Sequence, residues 1–259
     1  MIHRNTVAII QGRMASSRLP GKILLDIGGK PMLAHVVERA RQAKTVNQVV
    51  VATTTQPEDD AVEAYCRQNA IAVSRGSLHD VLDRFYQAAL VFQADIVVRL
   101  TADCPLLDPQ VLDHTVEEFL RTGVDFCCNR LPPPLKRTYP IGLDVEVCSF
   151  QALERAWNEA VEPHEREHVM PYLYDTPGRF KILRVDYEKD YGEMRWTVDT
   201  AEDLELVRQI FARLGARGNP DFTWLDVLAL LEREPQLALI NSQVKHKTYL
   251  DVDERQKPA

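Results

Sequence analysis

The sequence predicts an α/β fold: an open, twisted, mostly parallel sheet with helices on both faces and a small inserted β/α region. Continuous apolar, largely β-branched runs recur at Val7–Ile10, Gln48–Thr53, Ile71–Val73 and Asp95–Leu100, the pattern of strands buried on both faces. Amphipathic helical patterns separate them, as the crossovers of a parallel sheet require. The polar residues of chemical interest fall just past the ends of these runs, where open α/β sheets bind ligands.

The first run leads directly into a loop carrying Gly12, Arg13, Ser16, Ser17, Arg18, Gly21 and Lys22. Small residues leave backbone N–H groups free to point inward, and the three cations supply charge for a polyphosphate. The loop lacks the three glycines of the dinucleotide fingerprint, and Ile23 follows Gly21-Lys22 where a P-loop needs Ser or Thr. A solvated basic loop is the bland alternative, but this density of cations, glycines and serines behind a buried strand favours a phosphate site. Pro31 suits the first turn of the next helix, whose apolar face is Met32, Leu33, Val36, Val37 and Ala40.

The second run ends in Thr53-Thr54-Thr55, hydroxyls that either face a nucleotide or make a turn. Pro57–Asp60 opens a helix with carboxylates in its first turn and Ala61, Val62, Tyr65 and Cys66 as its stripe. After the third run, Arg75 and Gly76 present guanidinium and backbone to a base or phosphate, or simply turn the chain. A helix burying Val81, Leu82, Phe85, Ala88, Ala89 and Phe92 follows. The fourth run delivers Asp103, with Pro105 stiffening the turn behind it, in a position to hold a divalent cation against a triphosphate. Asp108, before Pro109, is the better helix cap.

Past a strand at Val124–Cys128 the alternation breaks. Leu131–Arg137 is proline-rich and reads as an exposed loop. Tyr139–Cys148 sets Leu143, Val145 and Val147 against Asp144, Glu146 and Cys148, the period of a half-buried strand with two carboxylates on its polar side. Ser149 caps a helix. In Pro163–Tyr174, His168 and Tyr172 share a face if the segment is one helix, and Arg166 suits a carboxylate. His164, Glu165 and His168 lack the spacing of a zinc protease. Phe180–Val185 is a strand, and Thr200 with Asp203 forms a capping box that leaves Asp199 just ahead of a helix N-terminus. A last helix from Phe222 carries Leu225, Val227, Leu228, Leu230 and Leu231, and the tail past His246 reads as disordered.

The expected organisation is a nucleotide-binding core over 1–128 and 192–215, an insertion over 129–191 and a helical extension over 216–259. Against 38 acidic side chains there are 31 basic ones, a net charge of −7, which argues against broad nucleic-acid or anionic-membrane binding. No apolar run has membrane-spanning length and no signal-peptide core follows Met1, so a cytoplasmic protein is expected. The five cysteines form an odd set without zinc or redox spacing and read as reduced and buried.

Residues 5 to 245 resemble the sugar-activating cytidylyltransferases, in particular the spore-coat polysaccharide branch, relatives of the enzymes that make CMP-linked sialic and 3-deoxyoctulosonic acids. Val7–Lys22, Thr101–Leu106 and Arg195–Thr200 carry the match. The resemblance implies transfer of CMP from CTP to a 2-keto sugar acid with release of pyrophosphate, feeding surface polysaccharide synthesis. It implies Arg13 and Lys22 on the phosphates, with Gln11, Gly12, Ser16, Arg18, Thr53, Arg75, Gly76 and Asp103 around the nucleotide. Asp103 and Asp199 would hold Mg²⁺. Asp144, Glu146, Arg166, His168 and Tyr172 would line the sugar pocket, and a homodimer is implied. Two rivals remain at this level. A nucleotide-sugar-dependent glycosyltransferase is expected to carry Asp-x-Asp where Asp103-Cys104-Pro105 stands. A non-catalytic nucleotide-binding subunit has no need of Arg13, Lys22, Asp103 and Asp199 together.

Overall fold

The computed structural model describes residues 4–131, 137–215 and 221–245. Strands and helices follow in the expected order. After β1 (Thr6–Gln11) come a single 3-10 turn at Lys22–Leu24 and a minimal hairpin of β2 (Asp26–Ile27) and β3 (Lys30–Pro31), both too short to leave a periodic pattern. α1 (Met32–Gln42) buries the predicted face. The alternation continues through β4 (Gln48–Thr54), α2 (Asp60–Gln68), β5 (Ala72–Gly76), α3 (Val81–Val91), β6 (Ile96–Thr101) and α4 (Pro109–Thr122). Asp108 caps α4 by accepting from Gln110 N at 2.8 Å, and its other oxygen accepts from Trp224 N at 2.8 Å.

With β7 (Phe126–Cys128), β8 (Glu146–Ser149) and β9 (Ile182–Arg184) these strands form one seven-stranded sheet in the order β5-β4-β1-β6-β8-β7-β9. β5, β4, β1 and β6 are parallel, β8 is antiparallel to both neighbours, and β9 is parallel to β7. Chain order reverses at β1, with β4 on one side and β6 on the other. Crossovers therefore leave in opposite directions and open a crevice at the carboxyl ends of β1 and β6. Gln11 pairs with both Ala52 and Thr101, so the three strand ends are level there.

An apolar core lies on each face. Ala8 and Ile10 of β1 join the core packed by α1, α2, α4, α8 (Ala201–Leu214) and α9 (Trp224–Arg233). Val7 and Ile9 join the core packed by α3, α5 (Phe150–Glu159) and α7 (Pro171–Tyr174). All five cysteines are free and buried, and burial pushes the Cys66 thiol up to about 11 and Cys127 to about 12. Among the described residues no helix is long and apolar enough to cross a membrane.

Several expectations are corrected. β8 lies inside the sheet between β6 and β7, so Glu146 and Cys148 are as buried as Val145 and Val147, and the strand is not half-exposed. The segment from Pro163 is two short helices, α6 (Pro163–His168) and α7. Pro171 has no N–H to continue the ladder and its ring would meet the carbonyl four residues back, so the helix stops at His168. Val169 takes φ 71°, a strained conformation for a β-branched residue, and His168 and Tyr172 do not share a helix face. Arg75 and Gly76 belong to β5 instead of the loop after it. Ala61 is exposed on α2, and on α9 Trp224 is buried while Leu225 is exposed. The stretch 132–136 of the proline-rich loop and the tail beyond 245 lie outside the described residues.

Candidate active site

The loops leaving β1 and β6 touch. A Cβ at Gly12 would stand 2.8 Å from the Ala102 Cβ, so only glycine allows this approach. The segment ahead of α8 closes on the same point, with Val198 N donating to Asp103 O at 2.8 Å and Thr197 Oγ1 to the same oxygen at 3.2 Å. Gly142, at φ 111°, packs against that segment so closely that a Cβ would meet Thr197 N at 2.6 Å. Residues 81 and more apart are thereby brought together: Lys22 Nζ donates to Asp103 Oδ2, Asp199 Oδ1 and Val198 O, each at 2.8 Å. Lys22 itself is buried.

Asp199 is the hub of this cluster. Arg18 meets its Oδ2 at 2.9 Å and Arg195 at 2.7 Å. Arg195 also holds Asp203 through Nε at 3.0 Å and through a second nitrogen at 2.9 Å. Asp203 is fully buried and completes the capping box by accepting from Thr200 N and Asp199 N, while Asn241 donates to its other oxygen at 2.9 Å. Burial opposes the Asp199 carboxylate, but Lys22, Arg195 and Arg18 hold its pKa well below the usual range. Burial likewise opposes the Lys22 ammonium, and Asp103 and Asp199 raise it above the ordinary lysine value nonetheless. Arg195 and Asn241 were not assigned from sequence. Arg195 stood visibly in the Arg195–Thr200 motif, whereas Asn241 arrives through tertiary packing and left no local signal.

Asp103 and Asp199 are the two hard carboxylates here that could hold a divalent cation: both are partly solvent-accessible, at 26% and 20%, and both aim an oxygen at the Lys22 ammonium. Among the described residues no group of three or more His, Cys, Asp or Glu could hold a metal, so such an ion would take its remaining ligands from substrate and water.

The loop that starts at Gly12 is held by a residue the sequence did not single out. Asp59, 1% exposed, accepts from Met14 N at 2.6 Å and from the Thr54 hydroxyl, tying the loop to the end of β4. Gly12 N donates to Ala52 O, and Ser16 Oγ accepts from Leu19 N at 3.4 Å. Thr53 Oγ1 is buried without a hydrogen-bond partner. Arg75 is committed elsewhere, donating to Thr54 O, Gln56 O and Glu63 and pairing with Asp60, so it clamps β4 to α2. Buried Arg84 packs against Gly76, and burial together with the nearby Arg13 charge pushes its pKa down to about 10.

Gln11 links this loop to a second cluster. Its Oε1 accepts from Arg99 Nε at 3.0 Å, and Arg99 forms a buried ion pair with Glu146, its register partner on β8. Arg130 stands 3.6 Å from Glu146, and Arg137 pairs with Asp144 at 2.7 Å. Burial, Arg99 and Arg130 push the His168 pKa down to about 4. The structure thus gathers Asp144, Glu146 and His168 but not the other two residues expected with them. Arg166 Nε donates to Asp80 at 3.0 Å and its NH1 nitrogen to Trp157 O, pinning α6 to the start of α3. The Tyr172 hydroxyl donates to Glu159 at the end of α5.

An uncharacterised protein of Methanocaldococcus jannaschii is 36% identical over 251 residues, 96% of this chain and 99% of that one. The spore coat polysaccharide biosynthesis protein of Bacillus subtilis is 32% identical over 241 residues, 89% of this chain and 95% of the relative. The solved structure of a cytidylyltransferase from Leptospira borgpetersenii superposes with a TM-score of 0.86 at 34% identity, covering 94% of this chain and all of that one (100%). At 24% identity and a TM-score of 0.59, CMP:2-keto-3-deoxy-manno-octonic acid synthetase complexed with CTP shares the fold. Residues 7–246 match the cytidylyltransferase family model, from the first strand to beyond the last described residue, and this chain belongs to that family.

Proposed function

We propose that this protein transfers CMP from CTP to a 2-keto sugar acid of the octulosonic or nonulosonic type. The anomeric hydroxyl attacks the α-phosphorus, a new oxygen–phosphorus bond forms, the bond to the β-phosphate breaks, and pyrophosphate leaves with the electron pair. Little covalent chemistry falls to the protein in such a displacement, so its residues act by position and charge. The observation that carries the reading is the convergence of Lys22, Asp103 and Asp199 at the crevice beside Gly12.

The Gly12–Lys22 loop would wrap the triphosphate, with Arg13, Arg18 and Lys22 offsetting its charge and Asp59 holding the loop in shape. Mg²⁺ held by Asp103 and Asp199 would supply Lewis-acid neutralisation of phosphate oxygens. The second cluster supports an acidic acceptor: it concentrates three guanidiniums, Arg99, Arg130 and Arg137, beside the carboxylates of Asp144 and Glu146. His168 is held neutral beside them, and guanidiniums suit a carboxylate. Arg130 and Arg137 replace Arg166 as the candidate clamp for the acceptor carboxylate.

Pyrophosphate release with Mg²⁺ tests the reading, with CTP compared against the other three nucleoside triphosphates over a panel of eight- and nine-carbon keto-sugar acids. Release is expected with CTP and one acid, and Asp103→Asn and Asp199→Asn are each expected to reduce it by about 10²-fold or more. CTP binding without turnover on any acid would point to a non-catalytic subunit. Failure to bind CTP, with another nucleoside triphosphate supporting release instead, would overturn the choice of nucleotide.

A further inference from the structure

A lysine ammonium has three hydrogen-bond donors. Lys22 uses all of them within the chain, on Asp103 Oδ2, Asp199 Oδ1 and Val198 O. It can therefore reach a phosphate oxygen only by releasing one of these partners. The carboxylates are similarly engaged, since Asp199 offers its second oxygen to Arg18 and Arg195. Asp203 is bound by Arg195 in turn. Three cations, Lys22, Arg18 and Arg195, thus face three anions, Asp103, Asp199 and Asp203, and the cluster is neutral by itself. A divalent ion approaching alone would meet an ammonium 2.8 Å from both oxygens it needs, and would be repelled by it. A triphosphate changes that balance, because it offers Lys22 and the more exposed Arg18 new acceptors and frees the carboxylate oxygens.

We infer that Lys22 is an internal counter-cation that closes the Asp103–Asp199 pair to free divalent ions, so that metal and nucleotide are captured together. The nature of the nucleotide rests on the proposed function, but the lock depends only on the chain's own charges. Arg195 is held in place by Asp203 and Asn241 and stays behind as the fixed partner of Asp199. Lys22 and Arg18 are the movable part.

Mn²⁺ titration of the full chain without nucleotide, with free Mn²⁺ read by electron paramagnetic resonance, tests this. Lys22→Met is expected to bind Mn²⁺ about tenfold or more tightly than the wild type. Lys22→Arg, which keeps the charge, is expected to stay near the wild-type value, and Arg18→Gln, at a more accessible position, to tighten binding by a smaller factor. Adding Asp103→Asn to Lys22→Met is expected to abolish the gain. If Lys22→Met and Arg18→Gln both fold, as judged by circular dichroism, and neither binds Mn²⁺ more tightly, the lock is overturned. Wild-type protein that already binds as tightly as Lys22→Met would overturn it too. Either outcome is distinct from failure of the proposed function, which is read on the wild-type protein by pyrophosphate release with CTP present.

Discussion

His168 sits among guanidiniums, and its protonation is a residue-scale property with a measurable consequence. Burial, Arg99 and Arg130 depress its pKa to about 4, against about 6.5 in an unfolded chain. Between those values the unfolded chain binds a proton that the folded chain refuses, so stability is lost as pH falls through that window and is unaffected above it. Denaturant unfolding followed by tryptophan fluorescence should give a midpoint that declines from pH 6.5 to 4, and His168→Asn should flatten the decline. Equal slopes in the two proteins would assign the effect to another group. The sequence pointed to His168 through its spacing from Tyr172, and the residue does lie by the Arg99 cluster, but the spacing argument assumed a continuous helix. Pro171 was the visible warning.

At the scale of elements, the crevice depends on two loops in contact at Gly12 and Ala102. Gly12→Ala should force them apart, costing about 1–3 kcal/mol of stability and weakening CTP binding. Adding Ala102→Gly removes the opposing methyl and should restore most of both losses. Urea unfolding of the two single variants and the double variant checks the coupling, and strict additivity would show that the loops do not touch. Elements with long periodic patterns, β1, α1, β4, α3, β6 and α4, were legible because burial of a whole face leaves a trace in composition. β8 was misread, since its alternation hid a buried Glu146 that the facing Arg99 and the nearby Arg130 make tolerable. Asp59 was missed for a related reason. It resembles any first-turn acid in sequence, and its partner Met14 lies 45 positions away.

Across the whole molecule, the sheet separates two cores, and the two should fail independently. Leu33 on one face and Leu82 on the other are fully buried. Leu33→Ala and Leu82→Ala should each cost about 2–5 kcal/mol, and the double variant should lose their sum. A large departure from additivity in chemical denaturation would mean that the cores communicate through the strands. The succession of strands and helices along the chain and the position of Lys22, Asp103 and Asp199 just past strand ends or ahead of a helix were legible in the sequence, whereas the sheet order with β8 between β6 and β7 was not. The cation cluster around Asp199 was not legible either, because charge pairing between distant segments has no sequence period.

The cysteines carry one more consequence. Cys66 and Cys127 lie in one core, Cys128 and Cys148 in the other, and Cys104 is buried beside Asp103. Burial raises every one of these thiols above its ordinary value, so little thiolate is available at neutral pH for alkylation. The native chain is in effect a blank background for thiol chemistry. A cysteine engineered onto the outer surface of the Gly12–Lys22 loop would stand out as the reactive one, and a spin label or fluorophore attached there would follow the loop's approach to a second label on α8.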